Sequence, residues 1–264
     1  MENKEYKASI KTVGSIIAET KLILEKYLEV KDIDKLQEEI FENNLLLKKS
    51  KRRAENIFNE IKKRYLQDQK DGYFESPLLY LIKNIKTDAV VDLVLYYHLC
   101  KEERIIYEFN TEFVFNRYQN GYLGVSSEDA FHFIKELASR DENISKWTDR
   151  TIRDVKTGII GVLKDFNFIN SRKRPVFNKV FIPSIVFYYI LYINKEDIKT
   201  TEDITNCIDF RLFLLLKNDL NILLEEAYRN NVIDFEEING RRNIKFQYKS
   251  IKEIIDDYIR GEIH

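Results

Sequence analysis

Between residues 148 and 166 the apolar side chains Ile152, Val155, Ile159, Val162, Leu163 and Phe166 recur every three or four positions. Successive residues of an α-helix turn by about 100°, so this spacing gathers them into one stripe. Such a stripe forces an amphipathic helix that must bury one face. The same period recurs along much of the chain. It predicts a helix over 12–29, with Ile16, Ile17, Leu24 and Leu28 on one side, and a second over 32–44 capped by Asp32 or Asp34. A third, over 50–66, is capped by Ser50 and turns Ala54, Ile57, Phe58, Ile61 and Tyr65 inward. With only 8 Gly and 3 Pro in 264 residues, little chain is left for long loops or a Gly-rich sandwich.

Residues 77–100 read as one or two very apolar helices. Two more are expected over 111–120 and 127–140, separated by the turn NGYLG. Behind the 148–166 helix, FNFIN and VFNKVFI are two β-like runs joined by SRKRP, whose composition suits an exposed hairpin tip. The tail is expected to hold helices over 210–217, 219–230 and 250–260, with a hairpin turning at Asn239-Gly240. QDQKDGYFESP breaks the pattern and marks a boundary. The expected fold is mainly α: a helical globular protein with two helix-turn-helix-type units, the second winged, and a C-terminal helix/hairpin module. These units span residues 1–70, 71–190 and 191–264.

The net charge of −1 hides a segregation. Residues 45–65 hold eight cations against Glu55 and Glu60. Residues 146–181 hold nine against Asp149, Asp154 and Asp165, while the last third leans acidic. Two basic islands can form polyanion sites that a near-neutral total conceals. On the 148–166 helix, the face opposite the apolar stripe carries Arg150, Arg153, Thr157, Gly161 and Lys164. The glycine there would let another backbone approach closely. Arg172, Lys173 and Arg174 sit at the expected wing tip. On the 50–66 helix the outward residues are Arg52, Asn56, Asn59 and Lys63, with Arg53 and Arg64 on one shoulder and Lys48 and Lys49 in the preceding turn. Arg can pair with guanine and Asn with adenine in a major groove wide enough for a helix, while neighbouring cations hold phosphates. A solvated, salt-bridged surface is the alternative reading of the same faces.

No Walker loop, GxGxxG, HExxH or GxSxG is present, so neither an enzyme, a cofactor nor a small-molecule substrate is expected. His98 and Cys100 lack further ligands at metal spacing and read as core residues, and no metal is expected. Glu19 has no partner for acid–base work. Cys100 and Cys207 read as reduced thiols. No apolar run reaches the roughly 18 residues of a membrane span. The opening MENKEYKASI has no apolar signal core, so a cytoplasmic location is expected.

YKASI, GSIIAET and FENNLLLKKSKRRAENIFNEIKKRY resemble the opening of the BrxA family of BREX bacteriophage-exclusion systems, and WTDRTIRDVKTGIIGVLKDFNFI resembles its middle region. The resemblance covers most of residues 6–182. It implies an all-helical DNA-binding fold with two helix-turn-helix motifs, acting on double-stranded DNA in anti-phage defence beside other BREX proteins. Two alternatives stay open: an adaptor that docks protein partners, with the acidic tail as one interface, and an RNA-binding helical protein.

Overall fold

The computed structural model describes residues 4–67, 76–171, 173, 175–238 and 241–263. Its helices begin where side chains can satisfy the orphan N–H groups of a first turn. Near the N-terminus these are α1 (Ile10–Val13), α2 (Ile17–Val30), α3 (Ile33–Phe41) and α4 (Lys51–Tyr65). Asp32 accepts from the backbone N–H groups of Asp34 and Lys35, and Ser50 from that of Arg53. The single helix expected over 12–29 is in fact two. Gly14 at φ +69° and Ile16 at φ +45° turn the chain between α1 and α2, a bend that the apolar period alone does not reveal. Helices α2, α3 and α4 pack on one another, and Ala54, Ile57, Phe58, Ile61 and Tyr65 of α4 are all buried, as the stripe requires.

The apolar stretch that follows forms two helices, α5 (Pro77–Asn84) and α6 (Asp88–Glu102). Nearly every residue of α6 is buried, so it runs through the core. Next come α7 (Arg104–Glu108), a π-helical turn (Phe109–Val114) and α8 (Phe115–Gln119). Polar groups in this core are paired. The Asp209 carboxylate accepts from Tyr97 Oη (2.7 Å), Tyr107 Oη (2.6 Å) and Lys101 Nζ (3.0 Å). His98 Nε2 meets Tyr189 Oη at 2.8 Å, and burial, with Lys101 nearby, pushes its pKa down to about 4. The imidazole is a neutral core group, as expected. Cys100, buried, and Cys207, half-buried, are both free thiols.

Helix α9 (Ser127–Ala138) starts with a reciprocal cap between Ser126 and Asp129, α10 (Glu142–Ser145) with Asp141, and α11 (Asp149–Asp165) with Thr148. Helix α9 packs on both α10 and α11. Two extended arms follow α11. The expected two-stranded ribbon is reduced here to one antiparallel bridge, Ile169 to Phe177, flanked by hydrogen bonds from Asn170 N to Val176 O (3.0 Å) and Asn178 N to Phe168 O (3.0 Å). The second arm also reaches a third segment, because Phe177 N donates to Leu123 O (2.9 Å). A β-carbon on Gly124 would lie 1.9 Å from Pro175 O, so only glycine allows this approach.

The tail contains α12 (Ser184–Ile193), α13 (Thr201–Asn206), a 3-10 helix (Ile208–Phe213), α14 (Lys217–Arg229), the antiparallel pair β1 (Ile233–Ile238) and β2 (Arg241–Phe246), and α15 (Ile251–Arg260). The expected hairpin is present, although its Asn239-Gly240 turn lies outside the described residues. Helix α15 packs against α5 and α12, and one apolar cluster runs from Tyr6 to Ile263.

Candidate nucleic-acid interface

The two basic islands are joined by a piece of chain that neither contains. Helix α1 packs against both α4 and α11. Arg53 Nη1 donates to Thr12 O (2.6 Å) on one side of α1, and Lys11 Nζ approaches Thr151 Oγ1 (3.4 Å) on the other. The first turns of α4 and α11 therefore lie on either side of α1, with the exposed Lys11 between them. Lys11 has no place in either basic island of the sequence. Its isolation between two apolar positions, Ile10 and Val13, leaves no local signal that it faces the same way as the others.

The residues expected on the α4 face differ in what their charges meet. Lys49 and Arg52 are exposed and make no ion pair among the described residues. Lys48 is half-buried and bonds Glu19 at 2.8 Å. Burial alone would raise the Glu19 pKa, but the Lys48 hydrogen bond and charge, with Arg53 adding to them, outweigh it and hold the carboxyl below its usual range. Glu19, unpartnered in the sequence reading, is thus the counter-charge of Lys48. Lys63 is half-buried and lies 3.7 Å from Glu60. Asn59 is exposed, and Asn56 is half-buried.

Arg64 is the correction on this helix. Its side chain is fully buried: Nη2 lies 2.9 Å from Glu103 Oε1, Nε 3.2 Å from the same oxygen, and Nη1 donates to Gly14 O at 2.9 Å. Ser9 Oγ donates to the other Glu103 oxygen at 2.6 Å. Arg64 cannot reach a ligand. It holds the α1 segment and the α6–α7 junction against α4.

On α11, Arg153 is exposed with no ion pair, and Arg150 is 88% exposed with Asp154 only loosely engaged at 3.9 Å. Thr157 is exposed, and its hydroxyl donates back to Arg153 O (2.8 Å). Lys164 is half-buried without an ion pair. The expected open glycine at Gly161 is buried instead, because the α1 segment covers the later turns of this face. A backbone does approach a glycine here. It is the chain's own: a β-carbon on the neighbouring Gly158 would lie 3.1 Å from Ile10 O. Only the first turns of α11 are open to a partner. At the arm tip Lys173 is exposed, while Arg172 and Arg174 lie outside the described residues.

Among the described residues no group of His, Cys, Asp or Glu could hold a metal, and no helix is long and apolar enough to cross a membrane. The fold and this surface define a mainly α-helical protein whose two groups of packed helices each present a cationic helix start. The chain belongs to the BrxA family, which its residues 4–194 match, and is thereby a component of a BREX phage-exclusion system. No curated protein matches it. Its fold is similar to the crystal structure of an uncharacterized protein from Magnetospirillum magneticum, at 18% identity and a TM-score of 0.60, covering 78% of this chain and 98% of that one.

Proposed function

We propose that this BREX component is a non-enzymatic, double-stranded DNA-binding protein that meets one duplex through the starts of α4 and α11, with Lys11 between them. The observation that carries the reading is the packing of α1 on both helices, which brings Lys49, Arg52, Lys11, Arg150 and Arg153 to neighbouring exposed positions. Helices α3 and α4 then act as the helix-turn-helix of the first unit. In the second, α8, the segment near Leu123, α9, α11 and the two arms follow the order of a winged helix, with α10 inserted in the turn. Arg153 lies where a recognition helix meets base edges, and Lys173 lies at the wing, where cations hold phosphates. Further proteins of the same defence system are its expected partners.

A mobility-shift assay with duplex DNA, duplex RNA and single strands at two salt concentrations tests this. Each phosphate contact contributes about −0.9 to the slope of log affinity against log salt, so four to six contacts lower affinity on the order of a hundredfold to two-thousandfold between about 50 and 200 mM. Duplex DNA should be retained in preference to duplex RNA, whose deep, narrow major groove does not admit a helix. Absence of a shift at low salt, or a flat salt response, sinks the DNA reading and leaves the adaptor.

A further inference from the structure

The largest exposed apolar side chains near the arms do not belong to the cationic surface. Phe181 is 82% exposed and Ile222, on α14, is 65% exposed. Both line a groove of about 350 Å³ whose walls include Phe213, Leu214, Leu215 and Leu223. Exposed Phe on a soluble protein is costly unless something covers it, and an aromatic side chain beside an apolar groove is the anatomy of an interface anchor. Two charges share this groove. Lys179 is exposed and makes no ion pair among the described residues, while Asp219 already accepts from Leu216 N (2.9 Å) and keeps its other carboxylate oxygen for a second donor.

These features are self-complementary. A two-fold interface uses the same patch on both chains, so the patch must supply its own knob, its own hole and both signs of charge. Here Phe181 is the knob, the groove beside α14 is the hole, and Lys179 and Asp219 are the two charges. We propose that this groove is the interface between two copies of the chain. Each Phe181 enters the other copy's groove, and Lys179 of each copy faces Asp219 of the other. A foreign apolar partner could fill the groove, but it would not require one rim to carry both an unpaired cation and an available carboxylate. The exposed residues that the pairing covers lie away from Arg52, Lys11 and Arg153, so the DNA reading and this one stand or fall separately.

Sedimentation velocity across a concentration series tests the pairing on the full chain. The wild type should shift toward twice the monomer mass as concentration rises, and Phe181→Ala should move the midpoint at least tenfold upward with unchanged helicity. Charge exchange gives the sharper outcome. Lys179→Glu alone places like charges across the interface and should favour monomer, as should Asp219→Lys alone, whereas an equimolar mixture of the two variants restores opposite pairs on both sides and should dimerise. Circular dichroism confirms that Asp219→Lys, which also loses a helix cap, stays folded. If it does not, Phe181→Ala and Lys179→Glu carry the test. A wild type that stays monomeric to about 200 μM, or a dimer indifferent to Phe181 and Lys179, overturns the proposal.

Discussion

Helices α4 and α11 carry the chain's two densest runs of cations and put them to opposite uses. On α4, Lys48 is tied to Glu19, Arg53 to Thr12 O, Lys63 to Glu60 and Arg64 to Glu103. Only Lys49 and Arg52, of the residues expected to bind, keep fully available charges there. On α11, Arg153 has no ion pair, and Arg150 has one loose contact in solvent. The cause is position. Helix α4 is surrounded by α1, α2, α3 and α6, whose carboxylates and carbonyls reach its flanks, whereas the start of α11 faces α9 and α10 on one side only. Cation density along a sequence measures charge. Availability depends on what packs beside it.

The largest test of this contrast is at the buried pair. Replacing Glu103 with Ala leaves a guanidinium without its carboxylate in the interior, which costs about 3–5 kcal/mol. A denaturant midpoint well below wild type is expected, and an unchanged midpoint would show that Arg64 is solvated after all. Acid gives the next effect. Because the folded-state pKa of His98, about 4, lies below the ordinary value of 6.5, the unfolded chain takes up the proton first as pH falls. Stability is therefore unaffected by this group above about pH 6.5 and declines between there and pH 4, by about 3 kcal/mol in all at 1.36 per unit. His98→Gln should flatten that window in thermal melts.

Surface changes on the two helices should then separate. Arg150→Ala with Arg153→Ala should melt within about 0.5 kcal/mol of wild type yet flatten the DNA salt slope by about 1.8, the loss of two phosphate contacts. The paired cation Lys48 should behave in the reverse sense. Lys48→Ala should cost up to about 1 kcal/mol and leave the slope nearly unchanged, because its charge is already met by Glu19. If Lys48→Ala moves the slope as far as Arg153→Ala, the contrast between the helices fails.

Much of this architecture is written in local chemistry. Asp32, Ser50 and Thr148 announce three helix starts, and the stripe of α4 is buried residue for residue. Helix α12 is harder to read: SIVFYYILYI is buried on nearly every side, so it has no polar face and no period to detect. The break between α1 and α2 depends on Ile16 holding a positive φ, which its side chain gives no reason to expect. Arg64 looked like surface because its partners, Glu103 and Ser9, are far away in the chain and only folding brings them together. For the same reason Lys11 went unread, since its neighbours in space are α4 and α11 rather than its neighbours in sequence.

Lys11 is where the account can be tested most directly. Fluorescence anisotropy of a labelled duplex, titrated at several salt concentrations, compares the wild-type slope with that of Lys11→Ala. If α1 joins the two basic helix starts into one DNA surface, the variant should stay as stable as wild type within about 0.5 kcal/mol and lose about 0.9 from its slope. A Lys11→Ala protein that binds with the wild-type affinity and slope would mean that no duplex crosses α1, and that the two helices do not share one.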